Sequence, residues 1–383
     1  MANSVSYLWK SPQAAQGFHT AVSLHSHTTF SKESLTFIPD HAGRVPALRW
    51  LLSQQEKRCK KVPANFALAY WTPPLAPRAA YELERDQIKQ KLGLKSLVSI
   101  TDHDNIEAPL MLRLLPETRH IPISVEWSVP YGSTEVHLGI HNLPSSSAKR
   151  WMAAMAAYTE QPKDENITDL IAGLHDIKDL LIVLNHPLWD LYAVGQEAHL
   201  VSLEKFLRKH NRFMHGFELS GMRGWDENHR VVDLANSWNQ TLVSGGDRHG
   251  CEPNAALNLT NANTFDEFVY EIRHERRSNL LFMPQYQQSL SMRMLHTVND
   301  VVRYMPDHPL GANWDDRTFH PGPQGDIRPL SQIWDKTPGF IQAVFAIFGI
   351  FDAEPVKTTT QFLWGGSKNA FRLPTLGEGR EIA

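Results

Sequence analysis

The segment Leu180-Leu-Ile-Val-Leu184 runs straight into Asn185-His186-Pro187, so five apolar residues end on a side chain that can bind a metal. A short apolar run bounded by polar residues reads as a β-strand. The same arrangement recurs along the chain. Ala21-Val-Ser-Leu24 leads into His25-Ser26-His27, Ser96-Leu-Val-Ser-Ile-Thr101 into Asp102-His103-Asp104, and Thr241-Leu-Val-Ser244 precedes Asp247-Arg248-His249.

Between these runs lie segments of helical period. The stretch 79–92 carries Leu83, Ile88 and Leu92 among charged residues and stops at Gly93, and further helices are expected over 148–158, 167–177, 199–209 and 227–238. Gly216-Phe-Glu-Leu219 reads as another strand, and Thr264-Phe-Asp-Glu267 as a capping box opening a helix over 265–276. Apolar strands alternating with helices define an α/β protein. In a β/α barrel the C-terminal strand ends meet on one rim, where such a cluster of polar ends would converge.

Residues 121–142 interrupt the alternation as a hairpin with a turn at Pro130-Tyr-Gly-Ser133. A turn centred between Tyr131 and Gly132 places Glu126 directly opposite His137. His25 with His27, and Asp247 with His249, have i, i+2 spacing, which in extended chain sends both members to one side. The polar strand ends therefore read as one multi-histidine metal site. Imidazoles and carboxylates without thiolates suit Zn²⁺, Mn²⁺ or Fe²⁺ rather than Ca²⁺ or a structural zinc knot. Isolated histidines such as His141 and His175 lack the pattern and are read as structural, and Trp127 and Trp189 as packing residues.

The 383 residues suffice for one large domain with an appendage. With 42% hydrophobic and 21% charged residues and a net charge of -3, nothing favours nucleic acid or anionic membranes. Two cysteines, Cys59 and Cys251, exclude a disulfide framework and fit reduced thiols in a cytoplasm, and the first residues lack the features of a secretory signal. The apolar run Phe340 to Phe351 is too short to span a bilayer. The expected division is a segment 1–18, a metal-binding unit 19–285 and a C-terminal extension 286–383 that is either packed on that unit or used for self-association as a homo-oligomer. A loop over 53–78 is long enough to reach over the rim.

Taken in order, the motifs resemble those of the PHP superfamily, named for polymerase and histidinol phosphatase domains. His25-Ser-His27-Thr is similar to its first motif and Ile100-Thr-Asp-His-Asp104 to its second. Val125-Glu126 with Glu135-Val-His137 is similar to its third, Asn185-His186-Pro187 to its fourth, and Ser244-Gly-Gly-Asp-Arg-His249 to its last, where a small residue usually stands at the position of Arg248. The resemblance implies a distorted seven-stranded (β/α) barrel holding two or three divalent metals. It implies metal ligation by His25, His27, His103, Glu126, His137, His186, Asp247 and His249. The first motif commonly continues to a further Asp or His ligand, and direct count puts Lys32 there with Glu33 beside it. An ammonium cannot ligate a cation, so a third position needs Glu33 as substitute unless the Lys32 charge replaces that of a metal, and a binuclear site is preferred.

These expectations define a metal-dependent phosphoesterase acting on a small phosphorylated molecule, nucleotide or nucleic-acid end. Glu126 is expected to bridge two cations, Asp247 and Asp102 to be the catalytic carboxylates, and Arg248 and Arg223 to neutralise phosphate. The same site could instead serve an amidohydrolase or lactonase, or a non-catalytic regulatory module.

Overall fold

A computed structural model describes residues 2–35, 68–322 and 324–333. Cys59, the run Phe340 to Phe351 and residues 53–67 of the expected loop lie outside the described residues. The strands are β1 (Ala2–Tyr7), β2 (Thr20–Ser23), β3 (Glu33–Ser34), β4 (Tyr70–Trp71), β5 (Lys95–Val98), β6 (Val125–Tyr131) and β7 (Thr134–His141). They continue as β8 (Leu181–Asn185), β9 (Gly216–Ser220), β10 (Leu242–Gly245), β11 (Ala256–Thr260), β12 (Arg277–Phe282), β13 (Thr318–Pro321) and β14 (Ile327–Pro329).

These strands make three sheets, ordered β1-β12-β11-β2-β5, β10-β9-β8-β7-β6 and β14-β13-β4-β3. None closes on itself. The expected seven-stranded barrel is therefore corrected to a mixed α/β fold with two open five-stranded sheets and a small third one. Strand direction is the reason. β11 runs antiparallel to β2 and β12, and β7 antiparallel to β6 and β8, whereas a β/α barrel needs parallel neighbours throughout.

At the free edge of β10 the Asn258 carboxamide, carried on β11, accepts from Ser244 N at 3.0 Å and donates to Ser244 O at 3.2 Å. A side chain thus satisfies backbone groups that a closed sheet would pair with a strand. Among the described residues the two large sheets meet through bridges from Ser26, beyond β2, to Arg248, beyond β10, and from His103, beyond β5, to Glu126 on β6.

An apolar core still joins them. Val22, Leu24 and Leu97 from the first sheet cluster with Leu181, Val183 and Val243 from the second, covered by Phe265, Phe268 and Ile272. A larger core lies on the second sheet, where Trp127, Leu138, Ile182 and Phe217 meet Met155, Ile171, Phe206 and Val231. Trp127 is fully buried and donates Nε1–H to Thr159 Oγ1 at 2.9 Å, a packing role as expected.

Local signals act where the sequence places them. The helix Pro77–Gln87 begins with proline in its first turn, passes through a π-turn at Ile88–Leu92 and stops at Gly93, whose φ of 68° suits glycine. Thr264 Oγ1 caps Glu267 N, while the Glu267 carboxylate reaches Asn263 N, one residue before the cap. The hairpin register differs from expectation. Tyr131 pairs with Thr134 around Gly132-Ser133, so His137 opposes Ser128 and Glu126 opposes Gly139. Glu126 and Ser128 share a face, so Glu126 and His137 still point the same way.

Residues at both ends of the chain join the sheets. β1 pairs with β12 along all six residues, and β13 pairs with β4. Among the described residues no helix is long and apolar enough to cross a membrane.

Candidate metal centre

Each candidate ligand outside the hairpin stands just beyond, or at the close of, a strand. His25, His186 and Asp247 have positive φ values of 63°, 24° and 50°. The two i, i+2 pairs therefore do not lie on extended strand. Left-handed backbone is costly for a residue with Cβ, and it turns these side chains inward as each strand ends.

Glu126, on β6, is the hub and is fully buried. Its Oε2 lies 3.0 Å from His25 Nε2, 3.3 Å from His27 Nε2 and 3.4 Å from His103 Nε2. Its Oε1 lies 3.2 Å from His137 Nδ1, 3.1 Å from His186 Nε2 and 2.9 Å from Asn185 Nδ2. Asp247 Oδ1 is 3.7 Å from both His25 Nε2 and His27 Nε2. Glu33 Oε2 sits 3.1 Å from His249 Nε2 and 3.4 Å from His103 Nε2. All eight candidate ligands thus gather in one place, and Glu33 joins them.

Lys32, just before β3, and Glu33, its first residue, face opposite ways. Lys32 is exposed, with its ammonium 5.3 Å from the centre of the Tyr70 ring, while Glu33 is buried. Glu33 is held inward by Ser31 Oγ, which donates to Glu33 Oε1 at 2.6 Å. The carboxylate beside the counted position, not the lysine at it, faces the site.

Two further carboxylates were not singled out from the sequence. Glu218, in the middle of β9, has Oε1 2.7 Å from His25 Nδ1 and accepts His186 N–H on Oε2 at 2.7 Å. Glu135 has Oε1 3.0 Å from His137 Nε2 and accepts the Tyr192 hydroxyl on Oε2 at 2.6 Å. Each takes the ring nitrogen facing away from Glu126, the arrangement by which carboxylates orient metal-binding imidazoles. Glu218 had a signal, a lone carboxylate in the apolar run Phe217-Glu-Leu219.

The other expected site residues divide. Arg223 NH2 forms an ion pair with Asp247 Oδ2 at 3.0 Å, and its guanidinium stacks on Trp189 at 3.9 Å. Arg248 turns away: its guanidinium donates to Glu84 Oε1, His27 O and Gly250 O at 2.7–3.0 Å. It ties two ligand-bearing segments together from below, so its geometry is not that of a phosphate contact. Both oxygens of Asp102 are occupied by Thr28, which donates N–H at 2.5 Å and Oγ1–H at 2.7 Å. Asp102 therefore anchors the segment after His27, with burial pushing its carboxyl up to about 7.

Electrostatics favour charged carboxylates at the centre. Burial opposes ionisation of Glu126, but His25, His103 and His137 hold it well below the usual carboxylate range. Against the same opposition, Arg223 and the neighbouring imidazoles hold Asp247 low. Burial likewise resists charging His103, yet Glu33 and Glu126 raise it to about 9. A cation held here would have to displace protons from imidazoles already gathered around anions.

The residues fit divalent metal. Four groups of three or four donors each have their atoms within 4.8 Å of one another: His27, Glu33, His103 and His249; His25, His27 and Glu126; His25, His186 and Glu218; and His103, Glu126 and His137. His27 Nε2 and His137 Nδ1 are buried without a hydrogen-bond partner. Such orphaned nitrogens are costly without an electrophile to take their lone pairs.

No family model matches the chain, and no curated protein matches it. Solved structures to which it is similar include an amidohydrolase from Chromobacterium violaceum with bound sulfate and no metal, at 16% identity, covering 60% of this chain and 87% of that one, TM-score 0.36. Another is a two-domain protein from Bacteroides vulgatus containing a predicted PHP-like metal-dependent phosphoesterase, at 13% identity, 68% and 64% coverage and TM-score 0.39. A third is a protein from Bifidobacterium adolescentis assigned as a metal-dependent phosphoesterase, at 14% identity, 67% and 96% coverage and TM-score 0.33. Of these, the Bacteroides vulgatus protein is the one described as PHP-like. The functional reading stands on the site's own residues.

Proposed function

We propose that the protein is a metal-dependent hydrolase that cleaves a phosphate ester. The observation that carries this is Glu126, with imidazoles from His25, His27, His103, His137 and His186 within 3.4 Å of its two oxygens. Divalent cations bound there supply an activated water and neutralise charge on the reacting phosphoryl group. Zn²⁺, Mn²⁺ and Fe²⁺ all match these donors, and Glu126, the surrounding imidazoles, Asp247 and Glu33 are the residues that would hold them.

The chain's own residues supply the rest. Glu218 and Glu135 fix the orientation of His25 and His137. Asp247, kept as a carboxylate, stands ready to hold a cation and to accept a proton from attacking water. Arg223 lies beside Asp247, with one terminal nitrogen 3.0 Å from Asp247 Oδ2 and Nε 3.7 Å from Glu227 Oε1, so its charge sits at the edge of the cluster. A guanidinium so placed favours an anionic ester over a neutral amide.

The test is hydrolysis of p-nitrophenyl phosphate by protein loaded from a panel of divalent metals, with Asp247→Asn as control. Activity should require metal and fall at least a hundredfold in the variant. Equal activity in both would overturn the reading.

A further inference from the structure

The turn that carries Arg223 is gripped from outside the metal-binding strands. Arg293, on the helix Leu290–Val302, donates one terminal N–H to Gly221 O and the other to Arg223 O at 3.0 Å. Its guanidinium lies 4.4 Å from the ring centre of Tyr286, whose hydroxyl also donates to Arg223 O, at 3.1 Å. The Tyr286 oxygen in turn accepts from Asn228 Nδ2 at 2.7 Å. Two donors therefore meet on one carbonyl of the residue whose side chain faces Asp247.

Arg293 is itself buried, and among the described residues no ion pair joins it to a carboxylate, Glu252 acting on it only from beyond that distance. A buried guanidinium without a counter-ion is a poor means of stabilising a fold, since apolar packing does the same without the desolvation penalty. What the planar fork does provide is fixed geometry. It reaches two carbonyls two residues apart, which the single ammonium of lysine cannot match. On the other side Trp189 stacks on the Arg223 guanidinium, so backbone and side chain of Arg223 are both held.

We propose that Arg293 is a positioning residue for substrate binding, fixing the turn at 221–223 so that Arg223 presents its guanidinium to the substrate's anionic group beside Asp247. This rests on the phosphoesterase reading, and it gives the C-terminal extension a part in the reaction. The prediction is a loss of affinity without loss of metal or chemistry.

The experiment uses the full chain loaded with metal. Arg293→Met should raise KM for p-nitrophenyl phosphate, and the inhibition constant of inorganic phosphate, about tenfold. kcat should stay within about twofold and metal content unchanged. Arg223→Met should raise KM at least as much, and Arg293→Met should add nothing in that background. Tyr286→Phe, which removes one hydroxyl, should give a smaller rise in the same direction and serves if Arg293→Met does not fold. Full additivity of the two arginine changes, or an unaltered KM in both Arg293→Met and Tyr286→Phe, would overturn the proposal.

A second readout does not need turnover. The emission of Trp189, obtained by subtracting each variant's own Trp189→Phe counterpart, should shift alike in Arg293→Met and Arg223→Met. An unshifted emission in Arg293→Met would also overturn the proposal. If the wild type hydrolyses no phosphate ester, the phosphoesterase reading fails, while this emission still decides whether Arg293 places Arg223.

Discussion

His25 lies between two carboxylates, Glu126 at 3.0 Å from Nε2 and Glu218 at 2.7 Å from Nδ1. Acceptance of Nδ1–H by Glu218 leaves the Nε2 lone pair toward the cluster, so Glu218 selects the tautomer that can bind metal. Glu218→Gln should lower metal affinity roughly 10- to 100-fold, read by competition with a chelator. Gly245→Ala should do the same, because a Cβ at position 245 would fall on the Glu218 carboxylate. Normal affinity in both variants would show that Glu218 does not govern His25. His141 illustrates an imidazole with a different role. It is buried beside Ser99, whose Oγ lies 2.8 Å from its Nδ1, and burial, helped by His25, pushes it from 6.5 down to about 3. Between those values the unfolded chain holds the extra proton, so stability is complete above about pH 6.5 and declines as pH falls. From pH 7 to 5 this residue should cost about 2 kcal/mol. Denaturant titrations of wild type and His141→Gln would show it as a steeper acid loss in the wild type.

At the level of elements, the two-residue strand β3 decides which charge enters the site. Glu33 pairs with Trp71 and points in, while Lys32 points toward Tyr70. Lys32→Ala should leave metal content unchanged and cost no more than about 1 kcal/mol. Glu33→Gln should lower the cations retained per chain after desalting, by metal analysis. The reverse pattern would return the site to Lys32. This contrast shows how far the sequence could be read. Apolar runs ending on His25, His103, His186 and Asp247 locate those residues because burial of a strand is written in its composition. Lys32 and Glu33 differ by one position, and their facing is set by pairing with β4, a partner remote in sequence. Glu218 sits inside an apolar run, where side-chain period alone assigns it to the interior without revealing a role. In the hairpin a turn of two residues at Gly132-Ser133 shifts the register from the one expected, yet both faces survive because Glu126 and Ser128 share one.

For the whole molecule, apolar runs and helical periods identify an α/β chain but do not encode strand direction, which is why a closed barrel was expected and open sheets are found. β11, antiparallel to both its neighbours, has the same apolar composition as a parallel strand. The centre these sheets assemble is dense in carboxylates and imidazoles, so cations should stabilise the native state over the unfolded one. At a hundred times its dissociation constant a bound metal should contribute about 2.7 kcal/mol. Tm should rise by several degrees on adding Mn²⁺ or Zn²⁺ to chelator-treated protein, roughly 2–4 °C per kcal/mol. An unchanged Tm would contradict specific loading of the folded centre.

The junction between the two large sheets has a consequence beyond hydrogen bonding. His25, His27 and His103 follow strands of one sheet, whereas Glu126, His137, His186 and Asp247 belong to the other. Backbone hydrogen bonds from Gly246 N to Leu24 O, His27 N to Arg248 O and Asp104 N to Glu126 O, at 2.9–3.0 Å, stitch one layer to its neighbour where the ligands stand. A divalent ion held among these donors would take ligands from both halves, and so would act as a rivet through the two layers.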